Sequence, residues 1–175
     1  MKYLLIIPIT ILFSFSTLDL AEVSQDLPEE TWFDFWLGKW DLSWKMADGK
    51  KGKGTNHILK ILDGKVIQEN FEATDAGQMT GFKGMSLSTF NPQTKTWNQA
   101  WADNQGGYFS FKGIKEGDKR IFMTDIVKKD DVEFVQRMVF YDITANSLTW
   151  DWESSKDGGK EWKLNWRINY VRAKN

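Results

Sequence analysis

The chain has 175 residues, 41% of them hydrophobic, and a formal net charge of −1. That length suits one domain with its own core, and the near-neutral balance excludes a global field for nucleic acid or anionic lipid. There is no cysteine, which excludes disulfides and a cysteine-borne lipid anchor.

Residues 1–21 read as an export signal. Lys2 supplies the positive start, and Tyr3–Phe15 is a nearly unbroken apolar run of 13 residues. A membrane span needs about 20 apolar residues, so cleavage near Ala21 and no stable membrane insertion afterwards are expected. A periplasmic or secreted protein follows. Residues 22–30 read as a linker, and residues 31–175 as one domain. Pro28 with Glu29 and Glu30 marks the start of a short helical segment, because proline and acids suit a first turn. Gly38 stops it. Within Thr31–Trp44 stand six large aromatics, Trp32, Phe33, Phe35, Trp36, Trp40 and Trp44.

From Gly38 onward turn signals recur. They begin at Asp48-Gly49, Asp63-Gly64, Asp75, Asn91-Pro92 and Asn104, and continue at Glu116-Gly117, Lys129-Asp130, Ala145-Asn146 and Asp157-Gly158. Each offers residues that tolerate positive φ or open a turn. The runs between them are rich in β-branched and aromatic residues, which predicts about ten strands. The expected fold is all-β, an antiparallel up-and-down barrel, though the period alone also fits a sandwich. In the last run Trp162, Leu164, Trp166, Ile168 and Tyr170 share one face. In the run before it, Trp150 and Trp152 do the same.

Gly38-Lys39-Trp40 behind a short helix resembles the Gly-X-Trp step of the calycin group, which contains lipocalins, fatty-acid-binding proteins and nitrobindins. The resemblance implies a calycin-like barrel whose Trp packs against a basic residue near the chain end, Arg167 or Arg172. Within that group the chain looks like the uncharacterised bacterial DUF1579 type, over about residues 31–173. The shared pattern is Phe35–Trp40, Val66–Glu69, Phe90–Thr94, Trp101-Ala102-Asp103, Gln136-Arg137-Met138 and Asp157–Lys160. Nitrobindin-like relatives ligate haem through a His on a late strand. Trp162–Arg172 contains none, so no haem and no other cofactor is expected.

The candidate site residues are charges and amides set among apolar neighbours. His57, the only histidine, shares a face with Thr55, Leu59 and Ile61. It reads as a general base in the cup or as a structural strand residue. Glu69 shares a face with Ile67 and Phe71, and Arg137 with Val135, Val139 and Tyr141. Inside a barrel such charges must pair with each other or meet a ligand. Trp97, Gln99 and Trp101 mix indoles with a hydrogen-bonding amide, as sugar or lipid sites do. Trp40 and Trp166 read as packing. The lysines around Asp48–Gly54 read as a basic hairpin tip at the rim. No metal-ligand spacing, nucleophile elbow or triad stands out.

Two functions fit. The first is an exported barrel holding an amphipathic or carbohydrate-like small molecule, with Glu69, Trp97, Gln99, Trp101, Arg137 and Tyr141 lining the cup. The second is a metal-independent lyase or dehydratase on acidic oligosaccharides. There His57 or Tyr141 would be the base, Glu69 the acid or base, and Arg137 the uronate clamp.

Overall fold

The computed structural model describes residues 27–174. The expected export segment lies outside them. No helix among the described residues is long and apolar enough to cross a membrane.

The strands, in chain order, are β1 (Gly38–Lys45), β2 (Lys51–Ile61), β3 (Val66–Asp75), β4 (Lys83–Asn91), β5 (Thr96–Asp103), β6 (Tyr108–Glu116), β7 (Lys119–Met123), β8 (Val127–Lys129), β9 (Val132–Tyr141), β10 (Ser147–Ser155) and β11 (Lys163–Arg172). All but β8 form a closed antiparallel barrel of ten strands. Each barrel strand pairs with the barrel strand before it, and β11 closes on β1 with Trp40 opposite Arg172 and Leu42 opposite Tyr170. Closure leaves no barrel edge open to another chain. The expected seventh run is divided. β7 ends at Met123, and β8 forms a small separate ladder with the start of β9.

The expected helix is two 3₁₀ turns, Glu29–Thr31 and Asp34–Trp36. A segment this short does not sustain α-helix, and its shape is set by anchored rings. Phe33 stacks on Phe122 at 4.2 Å between ring centres, and Trp36 meets the Phe140 ring edge-on at 5.1 Å. These turns plug one end of the barrel. Glu29 is tied to the barrel at this end, since Trp97 Nε1 donates to Glu29 O at 2.7 Å.

Gly38 sits where plug and barrel meet. Its φ is +110°, a conformation L side chains rarely adopt, and a Cβ there would lie 2.6 Å from Arg172 Nη1. The Arg172 guanidinium crosses this point, 3.6 Å from the centre of the Trp40 ring. It donates to Leu37 O, and to Ala145 O at 3.0 Å. The arginine that closes the barrel is therefore Arg172. Arg167 points outward.

Candidate functional site

The end opposite the plug opens into a cup. Its floor is Glu69, Ile168 and Tyr170. Its walls are Phe71, Phe109, Phe111, Met138, Trp150, Trp152 and Trp166, and Phe82, Trp101 and Asp103 stand towards the mouth. The cavity holds about 160 Å³. Period-two alternation delivers these side chains to one face of each strand, and cross-strand register stacks them. Trp152 lies opposite Trp166. The Trp150 and Trp152 rings are parallel within 7°, 6.5 Å apart, and Trp166 stands edge-on to Trp150 at 5.9 Å.

A glycine lets one wall ring lie flat. A Cβ on Gly84 would fall 1.9 Å from Trp101 Cζ2, so the bare backbone of β4 is the surface on which the Trp101 indole rests. Trp101 Nε1 donates to Asp103 Oδ2 at 3.2 Å. Burial acts upward on the Asp103 carboxyl, but donors from the Gly107 backbone, Trp101 and the Gln105 backbone outweigh it and hold the group below its usual range.

Glu69 is 5% exposed and enters the cup floor from β3. Its Oε1 accepts from Asn56 Nδ2 at 2.7 Å, and its Oε2 from Ser86 Oγ at 2.7 Å. Burial pushes its carboxyl up to about 7, against the opposing pull of the Ser86 and Asn56 hydrogen bonds. Asn56 Nδ2 also donates to Tyr170 Oη at 3.3 Å. Burial, with Glu69 adding to it, raises the Tyr170 phenol well above its usual range. Below them Gln99 Nε2 donates to Ser88 Oγ at 2.8 Å. Asn56 Oδ1 and Gln99 Oε1 are buried with no donor among the described residues.

Of the residues expected to line the cup, Glu69 and Trp101 do so. Gln99 faces inward in the polar layer beneath. Trp97 faces inward too, but at the plugged end, where Phe33 and Phe90 pack on it. The others stand outside. The inner face of β2 carries Gly52, Gly54, Asn56 and Ile58, so His57 is half-buried on the outer wall. Arg137 Nε donates to Glu153 Oε2 at 2.6 Å, and its guanidinium lies 3.8 Å from the centre of the Trp162 ring. Tyr141 donates to Asp151 Oδ2 at 3.2 Å, and Arg167 holds both oxygens of that carboxylate at 2.7 and 2.6 Å. Both faces of β9 are covered, because the 156–162 loop folds back over it and brings Gly159 and Trp162 against Val135 and Arg137. That is why Arg137 sits among apolar residues without being interior, while Tyr141, at the other end of β9, is covered by Arg167 and Asp151.

Trp166, read from the sequence as packing, belongs to the cup wall. Trp150 and Trp152 were visible as a face, and cross-strand pairing with Trp166 is the signal that assigns all three to one wall. Of the ten tryptophans, four line the cup. No family model matches the chain, and no curated protein matches it.

Proposed function

We propose that this protein is an exported binding module that holds one small, largely apolar molecule in the aromatic cup, with Glu69 as its polar anchor. The observation that carries this reading is the cup: about 160 Å³, walled by indole and phenyl rings, with a buried carboxylate on its floor. An apolar void of about 150 Å³ is large enough for a benzene-sized guest. The pocket is therefore matched to a single ring or a short branched body, well short of an oligosaccharide. The likeness to the calycin barrel supports the same reading. So does the export segment expected over residues 1–21, which would place the protein in the periplasm or outside the cell.

The lyase reading has less support. It needs a base, an acid and a cation within reach of one substrate. Among its candidates only Glu69 reaches the cup, while His57, Tyr141 and Arg137 stand on the outer wall.

The test is native mass spectrometry and tryptophan fluorescence on the purified protein, mixed with a pool of ring-sized compounds. One unchanged guest should be retained, and emission should shift because four indoles line the site. Gly84→Ala is the structural control. Its methyl drives the Trp101 indole into the cup, so uptake should be lost, at a stability cost of about 1–3 kcal/mol from overpacking. Undiminished uptake by a folded Gly84→Ala protein would count against the cup as the site.

A further inference from the structure

Resting on the reading of the cup as a binding site, we infer that its ligand is a small organic cation, a protonated primary amine on an apolar body of about one ring.

The first argument is the charge inventory. The ionisable residues lining the cup are Glu69, Asp103 and Tyr170, and no Lys, Arg or His lines it among the described residues. The outer wall shows what this barrel does with other carboxylates of low exposure. Asp151 is gripped by Arg167, and Glu153 is paired with Arg137. Glu69 is as buried as Asp151, yet its partners are an amide and a hydroxyl, both neutral. A buried carboxylate without a cation is costly, and a cationic guest supplies the missing partner.

The second argument is the direction of the hydrogen bonds. Each Glu69 oxygen accepts one hydrogen bond and keeps a further lone pair. Unused acceptors call for a donor, and a primary ammonium carries three. A guest carboxylate would bring a third acid to Glu69 and Asp103 instead.

The third argument is the wall. Indole and phenyl faces carry negative quadrupole potential and attract a cation lying within about 6 Å of the ring centre. The same rings bury the apolar body. Size, charge and donor count thus select one class of molecule together.

Binding of this class must be linked to protons. Glu69 is faced by Asn56 from β2, Ser86 from β4 and Tyr170 from β11, with Asp103 at the mouth. An ammonium favours the ionised form of Glu69. Because that carboxyl titrates near 7, the cation should displace a proton when it binds at neutral pH.

The experiment titrates the purified protein with three matched probes, 2-phenylethylamine, 2-phenylethanol and 3-phenylpropionate, by calorimetry at about pH 6 and about pH 8. At about pH 8 the amine should bind at least about tenfold tighter than the alcohol, and the propionate weaker than either. Between about pH 8 and about pH 6 the amine's affinity should fall about tenfold, with proton release seen in buffers of different ionisation enthalpy, while the alcohol's stays flat. Glu69→Gln should remove the amine's advantage over the alcohol and its pH dependence, and a near-ultraviolet circular dichroism signal from the wall tryptophans equal to the parent's reports that its cup is intact. If that variant does not fold, the pH dependence and proton release of the unaltered protein decide the matter. An amine that binds no tighter than the alcohol at about pH 8 overturns the cation inference and leaves the cup reading standing. Failure of all three probes to bind at millimolar concentration overturns both.

Discussion

Glu69 carries a stability signature separate from any ligand. Its carboxyl titrates near 4.5 in the unfolded chain and near 7 in the folded one. Below about pH 4 both states hold the proton and the group contributes no difference. As pH rises through 4.5 the unfolded state ionises first, so folding becomes costlier until about pH 7, and the cost is constant above. The gap corresponds to about 3 kcal/mol. Asp103, Glu133 and Asp157 shift the other way, below their usual ranges, so their titrations fall on the acid side of this window. Urea unfolding of the unaltered protein and of Glu69→Gln should therefore diverge. The variant should gain on its parent by about 3 kcal/mol between about pH 4 and about pH 8. In that variant the Asn56 amide keeps an acceptor, and the Ser86 hydroxyl turns to accept from the introduced amide. A stability difference that does not move with pH would mean that Glu69 titrates normally.

At the scale of elements, the seam between β1 and β11 is where the barrel depends on one side chain. Arg172 lies on the Trp40 indole and donates to carbonyls of the plug and of the β9–β10 turn. It joins three segments that are far apart in the chain. Arg172→Lys keeps the charge but loses the planar stack and the fork, so it should cost about 1–3 kcal/mol in thermal or urea unfolding. Arg167→Lys should cost less, because that guanidinium is half exposed on the outer wall and its ion pair is screened there. Equal costs for the two would show that the seam is not special. The seam was largely legible in the sequence. Gly38-Lys39-Trp40 announced it, and parity along β11 separates the two arginines, since Arg172 continues the face of Trp166, Ile168 and Tyr170 while Arg167 does not. Most turns were legible too, because they hold Gly or Asp at positive φ, although Leu62 and Lys95 also take it. The cup was less so. On β2 the inner face carries glycines, with Trp44 packed over Gly52 and Gly54. Glycine does not read as core, so the sequence pattern leaves His57 open between the cup and the outer wall. On β9 a returning loop covers the outer face at Val135 and Arg137, which gives Arg137 an interior-like neighbourhood. Neither effect is local in sequence.

For the whole molecule, the two ends of the barrel differ in how they are filled. At the plugged end Phe33, Trp36, Trp40, Phe122 and Phe140 are all buried to 1% exposure or less. At the open end the wall rings Trp101, Phe109, Trp150, Trp152 and Trp166 are only partly buried and enclose a void. The strands that line the cavity, β3, β5, β6, β9, β10 and β11, each join close-packed core to the void. Local opening free energy follows buried contacts rather than chain position. Amide hydrogen exchange should therefore vary along the barrel axis within these strands. The slow sites should be Trp40–Leu42, Arg120–Phe122, Val139–Phe140 and Leu148, and the fast ones the mouth segments around residues 46–50, 76–82, 104–107 and 156–162. Occupying the cup supplies the missing contacts at the open end, so a bound guest should slow exchange there and leave the plugged end little changed. Protection that differs from strand to strand, and not from end to end, would show that the barrel opens at a seam between strands. The floor carboxylate would then meet solvent through the wall, and the mouth would not be the route by which a guest arrives.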